Sequence, residues 1–485
     1  MIADPADLAK QVADVTKSVG DLQTAANIVW TLVTGFLVMF MQLGFALLET
    51  GLTRAKNVTH TMGMNIFVYA IGILCFWLCG FALQMGGVGA LATFGNDATL
   101  SHEFVVNIAG KDFGLFGLSG FMLTPAVYTP AIAVLFLFQM VFMDTAATIP
   151  TGAMAERWKF ISFCLFSVLI AAVIYPLYAN WVWGGGWLSM LGKNFGLGHG
   201  HVDFAGSSVV HLTGGVMALV GAKLIGARVG KYTEDGKVNA IPAHNIPMVV
   251  TGTLILAFGW FGFNPGSTLA GTDTRTALVA TNTMIASAAG AMTACIYVWM
   301  RFGKPDVTMI CNGLLAGLVA ITGPCAFVSS GASVVIGGIA GVLVVVAAVF
   351  VDQKLKIDDP VGAVAVHGVC GAWGIVALGL FANGTYGDGL NGVAGNVKGL
   401  LYGDSGQLVA SLIGIAVNVL WVGTMAFVGL KVIDMLVGNR VSPESEVDGL
   451  DEGEMGLPGY AGEAGHPVPA EMGGMPHAGA ASPAE

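Results

Sequence analysis

Two of the nine histidines, His211 and His367, lie in the middle of long apolar segments, whereas the others fall in loops, segment ends or the C-terminal tail. An imidazole in such a segment can form an interhelical hydrogen bond, or it can hold and pass a proton near neutral pH. Ionisable side chains within membrane-spanning segments are rare and usually functional. Because the two rings occupy equivalent positions, the sequence favours a shared role in which they face each other and relay a proton.

Both histidines belong to one spaced motif, Asp-x2-Gly-x4-His-x3-Gly, which occurs at 203–215 and again at 359–371. An aspartate at the start of a helix accepts hydrogen bonds from the first amides and meets the positive end of the helix dipole. Capping suffices to explain Asp359. For Asp203, two interpretations stay open: capping alone, or capping together with attraction of a cation beside Trp183.

Aromatic residues cluster in the segments WVWGGGW, FLFQMVF and GWFGFNPGS. A ring face attracts a desolvated cation by about 2 kcal/mol or more. A neighbouring hydroxyl, Ser267, could accept a hydrogen bond from an N–H cation but offers little to distinguish a bare metal ion. Any one ring could equally pack against lipid. Together they predict one vestibule, formed by Phe138, Phe142, Trp183, Trp260 and Phe263.

The composition indicates the elements that position these residues. The chain has 485 residues, of which 55% are hydrophobic and only 10% charged, against about 25% charged in a soluble domain. A helix needs roughly 20 apolar residues to cross a bilayer. Eleven segments meet this length within a few residues, so we expect an all-α membrane protein with spans near 27–53, 61–87, 121–149, 158–181, 203–227, 246–264, 276–301, 307–325, 331–351, 361–383 and 405–437.

The repeated motif falls in the fifth and tenth spans, which gives five spans per repeat. An odd number means that the second copy runs opposite to the first, as in the inverted repeats of many transporters, whose sites lie near the midplane. We therefore expect repeat one at about 27–228, repeat two at about 246–383 and an added eleventh helix at 405–437. Residues 1–26 and 438–485 lie outside this membrane domain.

Charge in the loops predicts the orientation. With the C-terminus inside, 14 of the 20 lysines and arginines are cytoplasmic, which is the side where they accumulate. We expect a multi-pass inner-membrane protein with an extracytoplasmic N-terminal segment and a cytoplasmic, largely disordered tail. The N-terminus shows no signal-peptide pattern. Seven cysteines without metal-ligand or disulfide spacing predict no metal site, and no basic patch points to nucleic acid.

Several motifs, in order, resemble the Amt/Mep/Rh ammonium transporter family, most closely its bacterial and plant Amt branch. The motifs are RAKN, AERWKF, VWGGGW, DFAGSSVVH, GWFGFNPGS and VHGVCG, and the likeness covers roughly residues 27–455. The resemblance implies a homotrimer whose subunits each conduct ammonium or ammonia, exclude potassium and need no cofactor. It implies an outer cation site of Phe142, Trp183 and Ser267 supported by Asp203, a gate of Phe142 and Phe263, and a twin-histidine pore. A PII-type regulatory protein could bind the cytoplasmic face.

Two acidic residues and the C-terminal tail depart from the family pattern, and other classes of function have to be considered. Glu49 and Asp144 add two acids to apolar spans, where they could share a proton, mark a proton side path or bond a serine or threonine. The tail keeps Gly-Leu-Asp at 449–451 but lacks the histidine that often follows. An Rh-like gas channel is one alternative, but Trp183 and Ser267 disfavour it because Rh proteins generally lack the outer cation site. A receptor is disfavoured because the tail is short for a folded signalling domain. An enzyme is disfavoured because the sequence shows no nucleophile–base motif and no phosphate loop.

Overall fold

The computed structural model describes residues 5–460. Ten of its helical segments are long and apolar enough to cross a membrane. They are α1 Pro5–Leu52, α2 Ala55–Met85, α3 Pro130–Met154, α4 Phe160–Trp183, α5 Ser207–Ile225, α6 Ile246–Thr268, α7 Arg275–Phe302, α9 Ser330–Gln353, α10 Val364–Phe381 and α11 Ser405–Val437. The eighth predicted span corresponds to α8, Val307–Thr322, which has 16 residues. At about 1.5 Å per residue this helix covers only about 24 Å, so the count of eleven spans stays a prediction.

The first and third spans differ most from the predicted bounds. Helix α1 begins 22 residues before the predicted position 27. Helix α3 begins at Pro130 rather than near 121. The reason is local: Pro125 and Pro130 disfavour helix in the residues before them, and the Thr129 hydroxyl caps α3 by accepting from the Ile132 amide at 3.2 Å.

The long α2–α3 connection contains the described strands. Strand β1 (Glu103–Ile108) pairs antiparallel with β2 (Lys111–Gly117), with Glu103 opposite Gly117 and Ile108 opposite Lys111. The predicted all-α fold did not include this hairpin, because its short, partly buried strands lie outside the apolar segments on which the prediction rested. The membrane part of the prediction is unaffected.

Close helix contacts depend on small residues. A Cβ at Gly252 of α6 would lie 2.5 Å from the Leu48 amide of α1, and one at Gly44 would lie 2.8 Å from the Leu256 side chain. Small residues at such positions let membrane helices approach closely. Glycine therefore acts as packing material here, and it holds α1 against the helix that carries Trp260 and Phe263.

The two ends of the helix bundle differ in chemistry. We call the end that carries Trp183 and Ser267 the Trp183 face, and the opposite end the Arg228 face. On the latter, Arg228 binds Glu156 at 2.6 Å and Asp358 at 2.8 Å, all nearly fully buried. Burial opposes ionisation of Asp358, but hydrogen bonds and charge from Arg228, and charge from Arg157, outweigh it and hold the pKa of this carboxyl well below its usual range.

Residues 438–460 correct the expectation of a largely disordered tail. They include two short helices, α12 (Pro443–Asp448) and α13 (Leu450–Met455), which dock on the start of α2. The His60 amide donates to Asp451 at 3.0 Å, and the Leu450 amide donates to Asn57 at 2.9 Å. Composition alone could not predict this docking, because the residues in contact are almost 400 positions apart in the sequence. The rest of the predicted tail, 461–485, lies outside the described residues.

Shorter elements complete the description. A five-residue helix lies at Leu191–Phe195 between α4 and α5. Short 3-10 turns lie at Ala92–Phe94, Phe121–Leu123, Leu390–Gly392 and Leu400–Tyr402.

Candidate functional site

The two copies of the repeated motif form the same local structure. Gly206 and Gly362 both have positive φ, +115° and +80°, which favours glycine. Each is soon followed by a short π-helical stretch, Ser207–Leu212 or Val364–Val369, and each stretch contains the histidine. Such π-helical turns often occur at functional sites. Spacing alone could predict the equivalence of the copies but not this helix type.

The last glycine of each motif allows close contact between the copies. A Cβ at Gly215 would clash with the backbone of Gly368. A Cβ at Gly371 would lie 2.6 Å from the Ser207 carbonyl oxygen. Helices α5 and α10 therefore meet at backbone distance, which brings their histidines together.

His211 and His367 face each other at this contact. Their Nδ1 atoms lie 3.2 Å apart, and their ring centroids lie 5.2 Å apart with a 27° interplanar angle. Both side chains are buried. Within residues 5–460, His211 Nε2 has no hydrogen-bond partner. The sequence-based expectation that the two rings meet agrees with this geometry.

Aromatic rings continue from His211 toward the Trp183 face. His211 stacks on Trp260 and on Phe263, with centroid distances of 5.3 and 5.4 Å. Phe263 stacks on Phe142 at 4.2 Å, and Phe142 lies 4.7 Å from Phe138. The rings of Phe138, Phe142, Trp260 and Phe263 are all buried. They form a closed apolar layer rather than the wall of an open vestibule.

Above this layer lies a cavity of about 700 Å³ on the Trp183 face. Its lining includes Trp183, Asp203 and Ser267. The Trp183 ring meets Phe142 edge-on at 6.0 Å. Three of the predicted binding residues, Trp183, Asp203 and Ser267, thus line one cavity. The predicted rings Phe138, Phe142, Trp260 and Phe263 do not line it, and Phe142 reaches it only through its contact with Trp183.

Asp203 acts through its helix cap in this structure. One carboxylate oxygen accepts from the Gly206 and Ser207 amides at 2.9 Å, and the other from the Ser208 amide and hydroxyl at 2.7 Å and the Val209 amide at 3.0 Å. Its backbone carbonyl accepts from the Trp183 indole at 2.7 Å. The carboxylate therefore fixes the start of α5, whereas the backbone carbonyl of the same residue positions Trp183.

Asp359 caps the second copy in the same way. It accepts from the amides of Gly362 at 3.0 Å and Val364 at 2.8 Å. The capping interpretation of this residue therefore agrees with the contacts.

On the other side of the histidines, sequence reasoning missed one aromatic contact. The Phe45 ring lies 6.1 Å from the His367 ring. A small cavity follows, lined by Phe45, Glu49 and His367 among others. Phe45 gave no signal in the sequence, because it is one of many phenylalanines in apolar helices and belongs to no repeated motif.

The two unexpected acids have different surroundings. Glu49 Oε2 accepts from Asn65 Nδ2 at 2.8 Å and from the Thr151 hydroxyl at 2.7 Å. Of the three interpretations left open, these contacts match a hydrogen bond to a threonine. Asp144 Oδ1 is buried without a hydrogen-bond partner in the described part of the chain.

These features define a multi-pass helical membrane protein in which contacting aromatic rings connect Trp183 to two paired histidines. Residues 29–460 match the model of the Ammonium Transporter Family. The chain belongs to this family, which confirms the resemblance seen in its motifs, and this is a family of transporters rather than enzymes.

Related proteins and structures agree with this assignment. The chain is 46% identical over 437 residues to the ammonium transporter Amt2 of Archaeoglobus fulgidus, covering 90% of this chain and 88% of the relative. It is 37% identical to ammonium transporter 1 member 1 of Oryza sativa subsp. japonica, covering 84% and 80%. Among solved structures, a protein described as a Sensor Amt Protein has a TM-score of 0.78 at 34% identity, covering 90% and 99%. Mep2 of Candida albicans has a TM-score of 0.72 at 28% identity, covering 87% of each chain.

Proposed function

We propose that this protein takes up ammonium by binding the cation at the Trp183 face and passing ammonia and a proton separately through the twin-histidine pore. The observation that carries the proposal is the unbroken series of ring contacts from Trp183 through Phe142 and Phe263 to His211 and His367. Family membership gives the substrate class, and this series gives a path for it.

In the proposed first step, ammonium enters the cavity lined by Trp183 and Ser267, next to the Phe142 ring that contacts Trp183. The ring faces attract the cation. Ser267 Oγ already donates to the Phe263 carbonyl at 2.7 Å, which leaves its lone pairs free to accept an N–H from the ion. Asp203 supports the site by holding the Trp183 indole in place.

The second step removes the charge at the gate. The Phe142 and Phe263 rings stack at 4.2 Å, and a permanent cation that passed between them would lose its hydration without replacement. Burying an unpaired charge is costly, whereas neutral ammonia avoids that cost. Potassium cannot give up its charge as a proton, so the same layer rejects it.

The histidines then provide a polar route for the proton. An imidazole pair can accept a proton on one ring and release one from the other, and the 3.2 Å contact allows transfer between them. Ammonia passes beside the rings and is reprotonated beyond them. The net result is movement of one ammonium charge.

The remaining parts of the proposal concern assembly and sidedness. We propose an inner-membrane homotrimer, which the family resemblance implies. The distribution of lysine and arginine supports an orientation with the Trp183 face and the N-terminus outside. The docked helices α12 and α13 lie on the Arg228 face, which is then cytoplasmic. A PII-type protein that binds there would contact a tail already ordered against α2.

A solid-supported-membrane recording under an ammonium jump tests this function. We expect a transient inward current that saturates with ammonium concentration, and no current under a matched potassium jump. Uptake without current would contradict the separate proton, and neither uptake nor current from correctly inserted protein would contradict transport itself.

A further inference from the structure

The first part of α1 is a helix whose side chains are exposed. All residues from 5 to 23 are exposed, and the first buried residue is Asn27, which donates to the Thr93 carbonyl at 2.9 Å. A helix of this length spans about 30 Å. The helix therefore continues well beyond the point where α1 joins the bundle.

This exposed part carries a regular apolar stripe, here called the N-terminal stripe. Its residues are 48% to 71% exposed and follow one another at spacings of four, three, four and three: Leu8, Val12, Val15, Val19 and Leu22. Alternating spacings of three and four are the heptad pattern of coiled coils. The pattern continues through Ala26 to the exposed Val29 and Val33.

No charged residue flanks this stripe. The positions beside it are uncharged, namely Ala9, Gln11, Thr16, Ser18, Gln23 and Ala25. The charged residues lie on the opposite side of the helix, where Lys17 pairs with Asp21 at 2.6 Å. Parallel copies of the same helix would bring identical flanking positions together, so uncharged flanks remove the like-charge repulsion that would otherwise oppose such pairing.

A lone helix of this kind is not expected to be stable in water. The β-branched valines of the stripe lower its helix propensity, and most helical stability in proteins comes from packing of an amphipathic face rather than from propensity. An exposed apolar stripe outside the membrane needs a partner. A second helix whose apolar residues follow the same heptad spacing would cover this stripe best.

We infer that the N-terminal stripe packs against the same stripe of other copies of this chain, forming a short parallel coiled coil next to the membrane. Copies inserted in one bilayer have the same orientation, so their helices are parallel and in register. Two to three heptads are weak alone, but copies held in one oligomer associate at a high effective concentration. The inference rests on the proposed homotrimer and extends it to a segment outside the transport domain.

Cysteine cross-linking of the full-length protein tests this inference. Val15→Cys places a thiol on the stripe, and the matched control Ala13→Cys places one on another face of the same exposed turn. After oxidation in native membranes, non-reducing electrophoresis should show about five-fold more linked dimer for Val15→Cys than for Ala13→Cys, since a disulfide needs closely approaching Cβ atoms. The unmodified chain gives the background from its seven cysteines.

Equal linking at both positions, or linking at neither, would overturn the inference. An ammonium-jump current from the same membranes separates this outcome from a failure of the proposed function. Normal current without stripe-specific linking rejects the coiled coil alone, whereas stripe-specific linking without current rejects transport alone.

Discussion

His211 and His367 share one short contact, with 3.2 Å between their Nδ1 atoms. Neutral imidazole carries one proton on either nitrogen, so only one of the two Nδ1 atoms can donate in this contact. The ring that donates has a bare Nε2, and the other ring has a protonated Nε2. When a proton is added to one end and leaves from the other, both tautomers invert, which is what a two-ring relay requires.

The first prediction concerns Asp203. Asp203→Ala removes the carboxylate that accepts from five donors at the start of α5, which frees the backbone whose carbonyl positions the Trp183 indole. We expect loss of transport with a stability cost of about 2 kcal/mol. Asp203→Asn keeps one acceptor oxygen and should retain part of the activity. Growth of a transporter-deficient strain on low ammonium, at matched expression, measures both. Growth of the alanine variant like the wild type would contradict the role of Asp203.

The second prediction concerns Trp183. Trp183→Leu removes a ring face from the cavity but should not disrupt the rest of the proposed pore. A loss of about 2 kcal/mol of cation attraction corresponds to an affinity weaker by about 30-fold. Competition between ammonium and methylammonium in uptake assays measures this change. An unaltered competition curve would argue against a cation site beside Trp183.

The third prediction concerns Glu49 and stability. Glu49→Leu leaves an Asn65 N–H without an acceptor, and we expect a loss of about 1–2 kcal/mol. Glu49→Gln keeps an acceptor oxygen in place and should cost less than about 1 kcal/mol. Unfolding of the purified variants in detergent gives the comparison. Equal stability of both variants would show that these hydrogen bonds contribute little.

The fourth prediction concerns pH and the hairpin. Burial raises the pKa of Glu103 to about 7, partly offset by a hydrogen bond from Asn180. Because the folded state holds this proton more tightly than the unfolded state, its stabilising effect is complete below about pH 4.5 and is lost as pH rises through about 7. Glu103→Gln should therefore be more stable than the wild type by about 1 kcal/mol at pH 8, and unfold at a higher temperature, but it should not be more stable at pH 4.5. If the difference in melting temperature between the two proteins is the same at pH 4.5 and pH 8, the raised pKa of Glu103 is contradicted.

The sequence predicted which residues lie close together better than it predicted where the helices begin and end. The motif spacing placed His211 opposite His367, because equal spacing in two copies requires equivalent positions. The same spacing could not indicate the π-helical turns, which depend on backbone contacts such as that of Gly215 with Gly368. The start of α1 at Pro5 was missed because exposed residues 5–26 carry no membrane-like apolar run. The docking of Asp451 on the His60 amide depends on a contact across almost the whole chain.

The fifth prediction concerns selectivity, which is the central claim of this account. Asp in place of His211 puts a carboxylate in the pore, and an anion at that depth favours a cation that keeps its charge. His367→Asp should behave similarly, because the two rings occupy equivalent positions. A bulky apolar replacement at either position should instead block the proton and the current.

The most direct test is current in proteoliposomes under separate ammonium and potassium gradients, at matched protein content, for the wild type and for His211→Asp. We predict that the wild type carries current only with ammonium, whereas His211→Asp carries it with both ions. If the variant carries ammonium current but never potassium current, the histidines do not contribute to selectivity, and the Phe142–Phe263 gate provides it alone.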